Sequence, residues 1–234
     1  LSGGVAAANA ALARAPEDPS NWFTLGELYE AVLPFVDGAD RAAIDSYRRA
    51  LESDPTNPAL AFAEGRAHIT VYDLATLRIY QTPSGEARSR LEAERATTAE
   101  AARAVLTRSL ELKGDYAQAH FLLAQLAIRE NKLEEAIAKT EDVLRLAPAD
   151  VGVAFQLGVL YYRASRLDEA KLAFERALLF NEQYSNARYF LGLVWDRKGD
   201  KDAARSQFYK IAELNPDSEE VKRIIANLEA GKPA

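Results

Sequence analysis

The residues of this sequence best suited to chemistry are two histidines and several pairs of adjacent carboxylates. A histidine can act as a general base or a metal ligand near neutral pH, and paired carboxylates can serve as an acid and a base. However, His68 and His120 occupy positions that recur as packing sites along the chain, and pairs such as Glu134-Glu135 stand near expected helix N-termini, where carboxylates favour the helix dipole. We therefore predict core histidines and solvated glutamates.

Motifs for catalysis or cofactor binding do not occur in the sequence. It contains no HExxH zinc motif, no GxSxG nucleophile motif, no P-loop and no GxGxxG dinucleotide motif. The complete absence of cysteine excludes disulfides, thiolate nucleophiles and cysteine-based metal sites. We expect no catalytic residue, no metal site and no cofactor, and hence a protein that is not an enzyme.

The composition limits the classes of partner. With 234 residues, 48% of them hydrophobic and 27% charged, the chain has the balance of a globular protein. No apolar run approaches the roughly 18 residues of a membrane-spanning helix, so we expect no direct membrane insertion of this chain. A net charge of -6 argues against nucleic acid, because phosphate contacts need clustered Lys and Arg. The compartment stays open between the cytoplasm and the soluble domain of a membrane-anchored bacterial protein.

A repeat explains the regular spacing of small and large residues in the second half of the chain. Segments 117–150, 151–184 and 185–218 align without a gap, with a period of about 34 residues. Leu followed by Ala or Gly stands at the seventh and eighth places, and Ala stands at the twentieth. These residues are Leu123-Ala124, Leu157-Gly158 and Leu191-Gly192, then Ala136, Ala170 and Ala204. Such a period indicates stacked helical hairpins that bury their apolar faces on one another.

The stretch "WFTLGELYEAVL", residues 22–33, has the same spacing, with Trp22, Leu25, Gly26 and Tyr29. Together these segments resemble the tetratricopeptide repeat family, whose pattern is W-x2-L-G-x2-Y, then A-x3-F, then P. The resemblance implies an all-α fold, a right-handed superhelical solenoid of antiparallel helix pairs with a C-terminal capping helix.

The repeat boundaries divide the chain into consecutive segments of one predicted continuous solenoid. They are a partial repeat (1–18), a first repeat (19–57), a second repeat (58–116), three regular repeats (117–150, 151–184 and 185–218), and a capping helix with a tail (219–234). The first repeat has an extra loop around Pro34 to Asp40, where Pro, Gly and Asp accumulate. Ser218 is the expected N-cap of the capping helix.

The second repeat carries a helical insertion near residues 72–97. Its only strong turn signal is "QTPSG", residues 81–85. Either both helices of this repeat are lengthened into a projecting hairpin, or residues 86–96 form an extra helix before the next one starts at the capping-box pattern Thr97-x-x-Glu100. The longer hairpin is the favoured alternative.

The beginning of the chain reads as the end of a repeat. Ala11 and Pro16 match places in a second helix, and the chain starts with "LSGG" rather than with methionine. We expect these residues to be the second helix of a repeat whose first helix is not part of this sequence. The apolar face that such a truncation exposes could mediate self-association.

The resemblance also implies a binding surface, a concave groove formed by the first helices of the repeats. In that family the second, fifth, ninth, twelfth and thirteenth places of a repeat face the groove, and their spacing keeps them on one side of the helix. The predicted groove residues are Phe121, Gln125, Ile128, Arg129, Phe155, Val159, Tyr162, Arg163, Tyr189, Leu193, Asp196 and Arg197. Aromatic side chains flanked by arginines suit a peptide with apolar and acidic residues. The alternative is that the aromatic residues at the fifth place and the arginines at the thirteenth place belong to the general scaffold of the family, with no dedicated ligand.

These observations favour a non-catalytic scaffold for protein–protein interaction that binds a peptide or a partner helix in the groove. An alternative comes from "DVGVAFQLGVLYYR" and "YSNARYFLGLVWDRKGD", which are similar to tetratricopeptide tails of bacterial inner-membrane proteins related to polysaccharide ligases. That likeness implies a soluble accessory region of a membrane enzyme for cell-surface polysaccharide assembly. RNA binding by helical repeats is a further alternative, and the acidic net charge argues against it.

Overall fold

The computed structural model of the chain describes residues 2–33 and 35–234, and all regular secondary structure in these ranges is helical. The helices are α1 (Ser2–Arg14), α2 (Pro19–Val32), α3 (Ala39–Ser53), α4 (Pro58–Gln81), α5 (Glu86–Leu112), α6 (Ala117–Arg129), α7 (Leu133–Leu146), α8 (Val151–Arg163), α9 (Leu167–Phe180), α10 (Ser185–Arg197), α11 (Lys201–Leu214) and α12 (Glu219–Glu229). Of the extra loop predicted around Pro34 to Asp40, Pro34 lies outside the described residues. The all-α prediction is confirmed.

The helices form two compact units, Leu1–Leu126 and Ala127–Ala234. In the first unit α2 packs on α3 and α4 packs on α5, and α1 packs on α2. In the second unit α8 packs on α9 and α10 packs on α11, with α12 against α11. Short connections between contacting helices make each pair an antiparallel hairpin. The predicted continuity of a single solenoid stays a prediction.

Side-chain caps fix where several helices begin. Asp18 and Asn57 accept hydrogen bonds from the backbone N–H two residues later, and proline follows each of them at the first helical position. Asp150 and Ser218 accept in the same way from the N–H three residues later. Ser218 is therefore the N-cap of α12, the residue predicted for that role.

In several helix pairs a glycine of the first helix lies directly against a large side chain of the second helix. A Cβ added to Gly158 would lie 2.5 Å from the Phe174 ring, and one added to Gly192 would lie 2.6 Å from the Phe208 ring. In the first unit Gly65 meets Leu106 in the same manner, at 2.6 Å. These distances are far below van der Waals contact, so the pairs can pack this closely only because the glycines have no side chain.

A half-buried polar network links consecutive hairpins in the first unit. The Tyr47 hydroxyl donates to the Glu30 carboxylate at 2.7 Å, and Arg66 on α4 donates to the same carboxylate at 2.6 Å. Burial of Tyr47, together with its hydrogen bond to Glu30, raises the pKa of this tyrosine. Since these side chains come from α2, α3 and α4, the network joins the first repeat to the second.

The insertion takes the form of one long hairpin. α4 and α5 are 24 and 27 residues long, whereas α8 and α9 have 13 and 14. The chain reverses at residues 82–85, inside the predicted turn, and residues 86–96 belong to α5 rather than to a separate helix. Tyr80 and Leu77 near the tip are exposed, whereas Tyr72 is buried where the hairpin joins the body of the unit. Among the described helices, none is both long and apolar enough to cross a membrane.

We predict that Gly158→Ala destabilises the chain. The new methyl group would overlap the buried Phe174 ring, and such overpacking outweighs the gain in helix propensity, so the free energy of unfolding should fall by about 1–2 kcal/mol. Chemical denaturation followed by circular dichroism measures the change.

The control is Gly152→Ala in the same helix, where the new Cβ would meet only the Asp150 side chain, at 3.3 Å. Its effect should stay within about 0.5 kcal/mol. Equal stabilities of the two variants would show that the Gly158 contact does not set the helix spacing.

Candidate binding surface on the first helices

The first helices of the second unit, α8 and α10, each turn one side toward their second helices and leave another side partly open. On α8 the buried residues Leu157, Gly158 and Tyr161 include the contact with α9. The open sides are called here the first-helix face. It consists of Phe155, Val159, Tyr162 and Arg163 on α8 and Tyr189, Phe190, Leu193, Asp196 and Arg197 on α10, which are half-buried except for the two exposed arginines.

The centre of the first-helix face is a cluster of aromatic rings. The Phe155 ring centroid lies 5.7 Å from that of Phe190, and the Tyr162 centroid lies 5.8 Å from it, both in edge-to-face geometry. Tyr189 contacts Phe190 at 6.0 Å. Such edge-to-face pairs add stability beyond apolar burial. The predicted residues Phe155, Tyr162 and Tyr189 thus belong to one aromatic cluster rather than standing separately.

Phe190 is a central residue that the sequence analysis missed. It stands at the sixth place of its repeat, and its ring also stacks on the buried Phe174 at 5.6 Å. The corresponding places in the two preceding repeats hold Leu122 and Gln156, so the repeat pattern carries no aromatic signal there. The only sequence feature that marks this position is that Phe190 is aromatic, whereas the equivalent residues Leu122 and Gln156 are not.

The two arginines of the first-helix face reach back to the preceding repeat. Arg163 donates to the Asn131 side chain at 2.8 Å, and Arg197 donates to the Ser165 hydroxyl at 3.1 Å. Asn131 and Ser165 stand at equivalent positions, just after α6 and α8. Both residues have a left-handed backbone conformation, with φ of 57° and 58°. The same contact is therefore made twice by successive repeats of the second unit.

Arg197 is held by two further contacts. It donates to the Tyr162 carbonyl at 3.2 Å, and its guanidinium lies over the Tyr162 ring, 4.7 Å from the centroid. These contacts use part of the guanidinium, which has five N–H donors. Arg197 is thus positioned by the scaffold and keeps donors for a ligand.

The part of the first-helix face on α10 is partly covered by the C-terminal region. The Tyr189 hydroxyl donates to Glu220 on α12 at 3.0 Å, and burial and this hydrogen bond raise the pKa of Tyr189. Asp196 accepts hydrogen bonds from the Lys201 ammonium group and, at 3.0 Å, from the Ala234 backbone N–H. Asp196 therefore anchors the end of the chain, a role that its place in the repeat did not predict.

The remaining predicted groove residues lie on α6. In the first unit, Phe121 is 41% exposed and Gln125 is half-buried. In the second unit, Ile128 packs partly against the core and Arg129 is exposed. Each of these side chains reaches the surface of its own unit.

Both histidines are buried in the first unit. His68 has its Nε2 atom 3.7 Å from the Glu64 carboxylate one turn earlier on α4. The Nε2 atom of His120 lies 3.0 Å from the Gly114 carbonyl oxygen. Within the described ranges, no group of three or more His, Cys, Asp or Glu side chains is arranged to hold a metal ion.

Hairpins of paired helices with an aromatic and basic face define a helical repeat protein of the protein-interaction class, since such repeats present extended binding surfaces. The tetratricopeptide repeat model matches residues 84–151 and 155–219, which together make up more than half of the chain. The chain belongs to the tetratricopeptide repeat family, as its sequence pattern predicted. A comparison with curated protein sequences finds no match.

Solved structures show the same fold at low sequence identity. The tetratricopeptide protein YrrB, described as having an unusual peptide-binding site, superposes with a TM-score of 0.66 at 16% identity, covering 93% of this chain and 96% of its own. A MamA structure gives 0.63 at 18%, with 86% and 94% covered. MamA from Desulfovibrio magneticus RS-1, residues 41 to the end, gives 0.58 at 19%, with 83% and 97% covered.

We predict that Arg197→Ala lowers the free energy of unfolding by about 1 kcal/mol. The substitution removes two hydrogen bonds and a cation–π contact between repeats, each weakened by solvent exposure. Thermal and urea unfolding of the purified chain measure the loss.

Arg145→Ala is the matched control, because Arg145 pairs with Asp142 on its own helix and its side chain is 70% exposed. This change should cost at most about 0.5 kcal/mol. If both variants lose the same stability, Arg197 does not hold the repeats together.

Proposed function

We propose that the protein is a non-catalytic interaction scaffold that binds a peptide or a partner helix along its first helices. The observation that carries this proposal is the first-helix face itself, where half-buried rings of Phe155, Tyr162 and Phe190 lie beside the exposed arginines. Aromatic residues and arginine dominate the energetic centres of protein interfaces. The face thus has the composition of a binding surface.

The preferred ligand is a peptide with alternating apolar and acidic residues. Arg163 and Arg197 are held in place by Asn131, Ser165 and Tyr162, so little side-chain entropy is lost when a ligand binds. Their remaining N–H groups suit a carboxylate. Apolar side chains of the ligand would pack on the rings between the arginines.

Two further features support a role in binding rather than catalysis. The histidines, the side chains best suited to proton transfer, contact Glu64 and the Gly114 carbonyl and are 8% exposed each. YrrB, which shares the fold, is described as a tetratricopeptide protein with a peptide-binding site. We extend peptide binding to this chain on the strength of its own aromatic and basic face.

Selection from a phage-displayed library of random linear peptides tests this proposal. We expect selected peptides to contain Asp or Glu next to large apolar residues. Fluorescence anisotropy with a selected peptide should then show at least about tenfold weaker binding to the double variant Arg163→Gln with Arg197→Gln, because charge-assisted hydrogen bonds are lost. Glutamine keeps an N–H donor for the contacts within the scaffold, which limits unfolding.

The control for this experiment is Arg145→Gln, which removes one positive charge from α7, away from the first-helix face. It should leave peptide affinity unchanged, and thermal unfolding verifies that all variants are folded. Failure to select any peptide, or equal affinity of the folded double variant and the control, would refute the proposed groove.

A further inference from the structure

The outer side of α9 carries an apolar stripe that the neighbouring repeats lack. Leu172 and Leu179 are 62% and 78% exposed and lie two turns apart on the same side of the helix. The equivalent places hold Ala138 and Arg145 on α7, and Ser206 and Glu213 on α11. The repeat fold therefore does not require leucine at either position.

The residues between the two leucines give the stripe a particular symmetry. The α9 outer stripe consists of Leu172, Glu175, Arg176 and Leu179. It has a leucine at each end and two residues of opposite charge at its centre. If a second α9 runs antiparallel against it, Leu172 faces Leu179 of the other copy and Glu175 faces Arg176. A two-fold axis requires this kind of self-complementary surface.

The surroundings of the stripe suit such a contact. A shallow cavity of about 450 Å³ is lined by the stripe and Phe180. A second cavity of about 210 Å³ opens beside Leu172, where Leu144 and Tyr161 form part of its wall. A leucine side chain from a second copy has an apolar recess to enter.

The central charges are placed for pairing between copies. Arg176 donates through Nε and Nη2 to the Pro148 carbonyl oxygen, at 3.0 and 2.8 Å, which fixes the plane of its guanidinium. The remaining N–H groups of Arg176 can donate hydrogen bonds to a carboxylate of a second copy. Glu175 has Lys171 on the same helix 3.8 Å away, a long and exposed ion pair that constrains it weakly.

We propose that the α9 outer stripe is a self-association surface, on which a second copy of the chain docks with its α9 antiparallel. The complementary order of two leucines and two opposite charges selects a second copy over an unrelated partner. The surface lies on the side of α9 away from Phe174, the ring that packs on α8. Self-association through it is thus independent of peptide binding on the first-helix face.

Sedimentation equilibrium across a range of concentrations tests the proposal. The unmodified chain should show a monomer–dimer equilibrium. Leu172→Lys and Leu179→Glu should each raise the dimer dissociation constant by about tenfold or more, because each removes apolar contact and leaves a charge against a leucine. The double variant should recover much of the affinity, since the introduced ammonium group of one copy would then face the introduced carboxylate of the other.

Leu214→Lys is the matched control, because Leu214 is also an exposed leucine of the second unit, at 48%, but lies on α11. It should leave the dissociation constant unchanged. A chain that stays monomeric, equal weakening by the control, or a double variant that does not recover would each overturn the proposal. A dimer that persists in every variant would also overturn it and would favour self-association through α1 instead.

Cysteine cross-linking gives a second test that does not rely on destabilising variants, because the chain has no cysteine of its own. A mixture of Leu172→Cys and Leu179→Cys chains should form a disulfide-linked dimer under mild oxidation. Either variant alone should cross-link far less, because like positions lie about 10 Å apart along the paired helices, beyond disulfide reach. Equal cross-linking in all three samples would contradict the antiparallel arrangement.

Discussion

The close contact between a glycine of the first helix and a large side chain of the second is the constraint on which the hairpins that contain Gly65, Gly158 and Gly192 depend. Gly158 against Phe174 and Gly192 against Phe208 leave no room for even a methyl group. Because the contact occupies one side of each helix, the alanines nearby, such as Ala170 and Ala204, are fully buried as well. Small residues set the spacing of the pair, and the large ring fills the space that this spacing creates.

This contact leaves the outer side of α9 free from packing requirements, so that side can carry leucines without disturbing the contact at Gly158. The first-helix face is less free, because Phe190 stacks on Phe174 itself. Neighbouring repeats share the contact residues but differ on their surfaces, as Leu179 on α9 and Glu213 on α11 illustrate. Differences between equivalent positions are therefore better indicators of binding than the shared pattern is.

The sequence was sufficient for the parts of the fold that repeat. The spacing of Leu157, Gly158 and Ala170 identifies the hairpin because only small residues at these intervals allow two helices to approach. Ser218 and the turn at residues 81–85 follow from local chemistry, since capping and chain reversal depend on a few adjacent residues. The length of α5 was harder to predict, because a capping pattern at Thr97 and Glu100 also favours a helix start.

The candidate site was predictable only in part, since contacts between repeats depend on where loops end in space. The sequence placed Arg163 and Arg197 on one side of their helices, but it gave no sign that Asn131 and Ser165 would receive their hydrogen bonds. An arginine held in this way serves the scaffold, and in the proposed function it serves the binding surface as well. Its recurrence along the chain follows from the first role alone, because each repeat must be joined to the one before it. Specificity for the proposed ligand must then come from residues that do not recur, and on the first-helix face the clearest of these is Phe190.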